Sequence, residues 1–415
     1  MFMKRQYKGL FSMDVKKNAP TPLFDKLNSS DFAASKNLIY SDDYDISARF
    51  LNSYNGSVGT FNAYRREVER LIQWSWFVQK MSIKDIKKYD IEIYLEFCKS
   101  PPESWIGIKK APRFIEQDAI RIPNPEWRPF VVTISKFLYK KGEKPSIKNY
   151  QLSSSAIKDI FSILSTFYNF LIGENFTELN PIQQIRQKSK YIPKRQNKIR
   201  RLSTLQWEYL IETAELMAIE DPYKNERTLF IITILYSLYL RVSELAATSR
   251  WTPQMNSFYK DQNNLWWFAT IGKGNKERQI SVSDSLLKSL KRYRIFLGLS
   301  DMPSVADSTP LFSKLIGKGP ITSTTYLRKI VQSCFDAAIE RLTNDGFKED
   351  ADAMQEATVH WLRHTGISDD VKIRPREHVR DDAGHSSSAI TDKYIDIELR
   401  ERHASAKKKL LKQDE

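Results

Sequence analysis

Apolar residues recur at helical spacing through most of the chain. From residue 60, Phe61, Tyr64, Val68, Leu71 and Ile72 form one stripe, and Arg65, Arg66 and Arg70 lie off it, the pattern of an amphipathic helix. A second helix is expected over 83–97, with Ile86, Ile93 and Phe97 inward, stopped by Pro101-Pro102. Pro112, Pro123, Pro125 and Pro129 then interrupt the pattern, so 101–129 reads as a loop-rich insertion, and only 130–140 looks regular. Over 152–172, Ile157, Ile160, Phe161, Leu164, Phe167, Tyr168 and Leu171 predict a strong helix, with Gly173 as its stop and Asn180-Pro181 as a turn.

The second half repeats this style with one break in period. Ser203-Thr204-Leu205-Gln206 has the form of a capping box. Helices are expected over 204–218 and 224–240. The apolar stretch 229–240 contains Thr233, Tyr236 and Ser237, so it reads as a buried helix and not a membrane span. Strands follow at 265–271 and 277–282, joined by Gly272-Lys273-Gly274-Asn275. Helices resume over 285–297 and 324–342, and Pro375 can open another before His385. The expected fold is mainly α with a small β-sheet, and only 14 glycines in 415 residues agree with it.

That length exceeds one ordinary core. The expected division is an N-terminal arm at 1–45, a helical domain at 46–182 carrying the insertion, a linker at 183–202, a second domain at 203–400 and a tail at 401–415. The tail contains Leu410-Leu411 beside Lys407, Lys408 and Lys409.

Charge narrows the partner. Sixty-five Lys and Arg against 50 Asp and Glu give +15, an excess suited to a polyanion, most simply nucleic acid. The linker concentrates it: Arg186, Lys188, Lys190, Lys194, Arg195, Lys198, Arg200 and Arg201 occur there with no acidic residue. A tether of this kind is drawn to phosphate; a nuclear targeting patch is the competing reading. Cys98 and Cys334 have no partner at metal spacing and read as buried thiols in a reducing cytosol. No apolar run near the N-terminus is long enough for a signal peptide.

Candidate chemistry lies in four patterns of the second domain. Arg241-Val242-Ser243-Glu244-Leu245 follows the buried helix, and Lys273 sits at the hairpin tip. His360-Trp361-Leu362-Arg363-His364 comes next, then Gly384-His385 and Tyr394. His360 and Arg363 share a helix face. Singly, each has a plain reading: a surface ion pair, a turn, a partly buried aromatic. His360 and His364 imitate a zinc pair, but Trp361 stands where a metalloprotease helix needs Glu, so no metal is expected. Arginines and histidines can bind the oxygens of one phosphate, and a phenolic oxygen can attack its phosphorus. No P-loop is present.

The ordered set resembles the tyrosine recombinase (phage integrase) family, whose catalytic domain is marked by Arg-x-x-Glu-Leu, a Gly-Lys-Gly hairpin, His-x-x-Arg-His, Gly-His and a following tyrosine. Thr60, Tyr64 and the run from Leu164 to Leu171 resemble that family's core-binding domain more loosely. Asp382-Ala383 departs from the pattern, which has apolar residues there.

The resemblance implies a helical core-binding domain and an α+β catalytic domain closing on duplex DNA. Tyr394 would attack a DNA phosphate to give a 3′-phosphotyrosyl link. Arg241, Arg363 and His385 would hold its oxygens, His360 would serve proton transfer, Lys273 would protonate the leaving 5′ oxygen, and Glu244 would orient Arg241. The basic linker, with Lys194, Arg195, Lys198, Arg200 and Arg201, would cross the DNA backbone. A homotetramer on two DNA sites is implied, with an accessory DNA-bending protein as a further partner and no cofactor, metal, ATP or membrane. The expected setting is the bacterial cytoplasm, on nucleoid DNA, in a phage or mobile element. A type IB topoisomerase and a non-catalytic DNA-binding protein of the same fold are the alternatives.

Overall fold

The computed structural model describes residues 13–14, 19–25, 40–54, 56–118, 120–140, 142–192, 200–272, 276–385, 387, 391 and 406–407. The chain divides into two units, Met1–Asn197 and Lys198–Glu415.

The first unit is helical. Strands β1 (Met13–Asp14) and β2 (Ala19–Pro20) precede α1 (Ser41–Asn52) and α2 (Val58–Trp74). Helix α2 begins where Ser57 accepts from the Thr60 N–H at 3.4 Å, a side-chain cap for a free backbone donor. The helix expected over 83–97 is broken. Ile83–Asp85 form a single tight turn, Ile86 is extended, and α3 runs over Lys88–Lys99. The restart is capped by Asp90, which accepts from the Lys87 N–H at 2.8 Å. Helix α4 (Lys136–Lys140) is short and α5 (Ser154–Gly173) long. Gly173 is the last helical residue, and left-handed Asn175 turns the chain. Ile72, Trp74, Ile160, Leu164, Phe167 and Tyr168 are fully buried in this core.

The expected insertion is a folded piece. Strand β3 (Ile106–Gly107) pairs parallel with β6 (Phe130–Val131), and β4 (Phe114–Gln117) with β5 (Ile120–Pro123) forms a hairpin. Trp105, Ile106 and Phe130 are buried. Part of the expected arm also belongs to this unit. Leu23 and Phe24 are buried, and the Glu69 carboxylate on α2 accepts from the Leu23 N–H and from Arg113 of the insertion. Gln73 donates to the Thr21 carbonyl at 2.8 Å, and Arg121 pairs with Asp25. A short extended segment held by polar anchors has no apolar period, so the hydrophobic pattern does not register it. The linker is likewise shorter than expected: Ile185 is buried in this core, and Tyr191 and Ile192 pack against it. Lys194, Arg195 and Lys198 lie outside the described residues.

The second unit opens with the expected capping box: Gln206 N–H donates to Ser203 Oγ at 3.2 Å, and Ser203 N–H to Gln206 Oε1 at 3.0 Å. Helices α6 (Thr204–Glu220) and α7 (Pro222–Ser237) follow, then a three-stranded antiparallel sheet of β7 (Phe258–Lys260), β8 (Trp266–Ile271) and β9 (Glu277–Ser281). Phe258 pairs with Phe268 and Phe268 with Ile280, and all three side chains are buried, so one face of the sheet lies on the core. Helices α8 (Asp284–Phe296), α9 (Thr324–Asn344), α10 (Lys348–Met354), α11 (Val359–Asp370) and α12 (Arg376–Ala383) complete it. The fold is mainly α with a small sheet.

Two backbone features set the site. Tyr239, just past the end of α7, is left-handed at φ +50°, a conformation that costs a side-chain-bearing residue about 1 kcal/mol or more. Its phenol is bonded to Asp370 and accepts from Arg374 at 3.0 Å. Gly366 lets α11 press on α7: a Cβ there would lie 2.1 Å from the Tyr236 carbonyl oxygen.

Candidate active site

Helix α7 stops at Ser237, Tyr239 turns left-handed, and the chain enters a tight turn, Val242–Glu244, with Arg241 in front of it. Glu244 is buried, and its carboxylate folds back on the turn. It accepts from the Arg241 N–H at 2.8 Å and from Arg241 Nη1 at 3.0 Å. Arg241 keeps about a third of its side chain exposed. The expected link between Glu244 and Arg241 is thus present, on a turn and not on a helix.

Helix α11 supplies the next two groups. Arg363 is fully buried, and burying a guanidinium is costly unless its donors are satisfied. Nη1 donates to the Tyr239 carbonyl and Nη2 to the Ala383 carbonyl at 2.6 Å. The left-handed turn at Tyr239 therefore aims one acceptor at Arg363, and the end of α12 aims the other. His360, one turn earlier, is exposed and meets His364 edge-on with ring centroids 4.5 Å apart. Partial loss of water around its ring, then the charges of Arg363, Arg241 and Arg200, lower the pKa of His360. Burial and the His360, Arg363 and Arg200 charges push His364 down to about 4.

Gly384 ends α12 at φ +63° and turns the chain into His385. His385 Nε2 lies 3.1 Å from Arg363 Nη2, and Nδ1 lies 2.9 Å from Thr391 Oγ1. Burial and the charges of Arg363, Arg241 and Arg278 push its pKa down to about 4. Asp382 is buried within an ionic network: it accepts from Arg374 Nη2 at 2.6 Å and from Ser281 Oγ at 2.6 Å. The acidic residue that departs from the apolar pattern thus has a partner, Arg374, that the sequence reading did not single out.

Arg241, His360, Arg363 and His385 come from three separate stretches of sequence: Arg363 is within 3.1 Å of His385, the charges of Arg241 and Arg363 both act on His360 and His385, and Arg241 rests on the buried carboxylate of Glu244. Lys273 and Tyr394 lie outside the described residues. A Cβ on Gly272 would lie 3.3 Å from Glu244 Oε1 and 3.9 Å from Arg241 Nη1, and Thr391 is bonded to His385. Arg200 and Arg201 are described, and the charge of Arg200 acts on His360 and His364. The sequence reading missed Arg278, whose Nη2 donates to Glu244 Oε2 at 2.9 Å. The signal was its place beside Ile280 on the inward face of a strand, where a charged residue needs a reason. Such a cluster of guanidiniums is suited to a phosphodiester, whose charge grows as a fifth ligand approaches phosphorus.

No family model matches the chain. Among curated proteins it is similar to tyrosine recombinase XerD of Rickettsia bellii, 30% identical over 144 residues, which is 35% of this chain and 44% of that protein. It is also similar to a tyrosine recombinase of Pseudothermotoga lettingae, 26% identical over 274 residues, 65% of this chain and 79% of that protein. The match to the first of these spans less than half of the relative's length. Among solved structures, the Tn1549 transposon integrase in complex with a circular intermediate DNA superposes with a TM-score of 0.51 at 15% identity, over 88% of this chain and 98% of that one. XerH site-specific recombinase bound to a palindromic difH substrate gives a TM-score of 0.51 at 14% identity, over 90% of each chain. At these identities the structural likeness carries the fold alone. Over part of its length the chain is similar to proteins named tyrosine recombinases, and its fold is like that of the DNA-bound recombinases above.

Proposed function

We propose that this chain is a site-specific recombinase that cleaves and rejoins duplex DNA through a 3′-phosphotyrosyl intermediate, for integration or excision of a mobile element. The observation that supports it most is the joining of Arg241, held by Glu244, to Arg363 and His385 through Arg278, which bonds both Glu244 and the Ala383 carbonyl that Arg363 shares. In this reading Tyr394 attacks the scissile phosphorus, the phosphotyrosyl bond forms, and the bond to the 5′ oxygen breaks. Lys273 gives a proton to that leaving oxygen. Arg241 and Arg363 hold the nonbridging oxygens, His385 adds a contact and His360 serves proton transfer. One ester replaces another, so bond energy is conserved and no nucleotide cofactor is spent. The Tn1549 and XerH structures are described as DNA complexes, and the +15 charge of this chain suits the same partner.

The basic residues Lys194, Arg195, Lys198, Arg200 and Arg201 contact the DNA backbone, and four protomers act on two sites, with an accessory DNA-bending protein where the sites need bringing together. The C-terminal tail docks on a neighbouring protomer. The test is strand exchange. Two linear duplexes of unequal length, both carrying the sequence that the full chain enriches from a randomised pool, are incubated with it. Recombinant lengths are expected. Relaxation of supercoiled plasmid without any recombinant product would replace the reading with a topoisomerase.

A further inference from the structure

Arg278 lies on β9, five positions beyond Lys273, with its guanidinium almost wholly buried. Its two terminal nitrogens go to different acceptors. Nη2 donates to Glu244 Oε2 at 2.9 Å and Nη1 to the Ala383 carbonyl at 2.7 Å. Each acceptor is shared. Glu244 also holds Arg241, and the Ala383 carbonyl also accepts from Arg363 Nη2 at 2.6 Å. Arg278 therefore stands between the two arginines that would grip the phosphate and is joined to each through one intermediate group.

We propose that Arg278 is a positioning residue for DNA strand cleavage, fixing Arg241 and Arg363 relative to one another and to the hairpin that carries Lys273. The assignment rests on the recombinase reading above. A lone arginine and a carboxylate favour two parallel bonds. Arg241 makes only one side-chain bond to Glu244, to Oε1, while Oε2 takes the Arg241 N–H and Arg278 Nη2 together. Among the described residues no protein acceptor meets Nε or Nη2 of Arg241, so these donors remain for an anion. On the other side, Gly384 makes room for the contact: a Cβ there would lie 2.7 Å from Arg278 Nη1. The glycine before His385 thus serves the left-handed turn and the seat of Arg278 together. Lysine cannot replace this arginine, because one ammonium cannot span both acceptors in the geometry of a planar fork.

The test uses the full chain and a nicked suicide duplex carrying its pool-enriched sequence. Covalent adduct formation at saturating DNA, DNA affinity and thermal midpoint are measured for wild type, R278Q, R278K and R241A, and for R278Q in the R241A background. R278Q should lose about 100-fold in cleavage rate, as expected for misplaced groups, with DNA affinity within about threefold of wild type. R278K should recover only part of the rate. In the R241A background the further loss from R278Q should shrink to about tenfold or less, since the two residues share Glu244. A purely structural arginine would give equal losses in both backgrounds, and that result, or wild-type cleavage by R278Q, overturns the assignment. If R278Q does not fold, R278K carries the test, and its cleaving at the wild-type rate overturns the assignment. Absence of adduct from the wild type would instead strike at the recombinase reading itself.

Discussion

Arg363 Nη2 lies 3.1 Å from His385 Nε2. A guanidinium carries only donors, so that ring nitrogen accepts, and the ring proton sits on Nδ1, facing Thr391 Oγ1. In the DNA-free protein His385 is therefore a neutral acceptor toward Arg363, and not yet the phosphate donor that the family resemblance implies. An entering phosphate would compete for the Arg363 donors and add a negative charge beside the ring. The His385 pKa should rise from about 4 when DNA binds. NMR of histidine-labelled protein, with and without DNA, checks this. A free-protein titration near the ordinary histidine value would contradict it.

The same depression fixes a sign for stability. His364 and His385 both have folded values of about 4, below their ordinary 6.5. Between these values the unfolded chain binds more protons, so stability rises with pH across that window. The contribution is complete above about pH 6.5 and is lost as pH falls toward 4. Urea midpoints should decline from pH 7 to pH 5, and H364Q should flatten that decline. An H364Q slope equal to wild type would place His364 elsewhere.

Gly366→Ala should cost at least about 3 kcal/mol. The added carbon would stand 2.1 Å from a backbone oxygen of α7, and main chain cannot yield as a side chain can. Because α11 carries Arg363, cleavage should fall with stability. Gly59→Ala on α2 is the contrast. Nothing lies within 4 Å of its Cβ position, so it should stabilise by about 0.5 kcal/mol through the unfolded state. Denaturant unfolding of the two variants separates a close approach from a generic glycine effect.

Asp382→Ala should destabilise by about 2 kcal/mol, since it removes the buried carboxylate that Arg374 Nη2 and Ser281 Oγ both donate to. Its effect should shrink in an Arg374→Ala background, because the two share one network. Independent, additive losses would show that the pairing contributes nothing.

Much of this architecture was legible in the sequence. Periodic stripes gave α2, α5 and α9, and the capping box at Ser203 was visible as residue types. His360 and Arg363 were readable as one helix face because spacing alone decides that. What escaped depends on tertiary partners. Ile86 interrupts an otherwise helical stripe, and its cue, Asp90 capping Lys87, is short and polar. The segment at Leu23 is held by Glu69, which lies in α2 like any surface glutamate until its partners are seen. Arg278 and Asp382 acquire meaning only when β9, the Val242–Glu244 turn and the end of α12 converge. The family motifs named the groups that would touch phosphate, and the structure adds those that hold them in place.

The central claim concerns one covalent bond. The full chain should be incubated with the nicked, pool-enriched duplex, digested with protease, and the DNA-linked peptide identified by mass spectrometry. The account predicts a peptide spanning Tyr394 joined to a DNA 3′ phosphate, absent in Tyr394→Phe. A wild-type protein that forms no such link, or one that links through another residue, would contradict it.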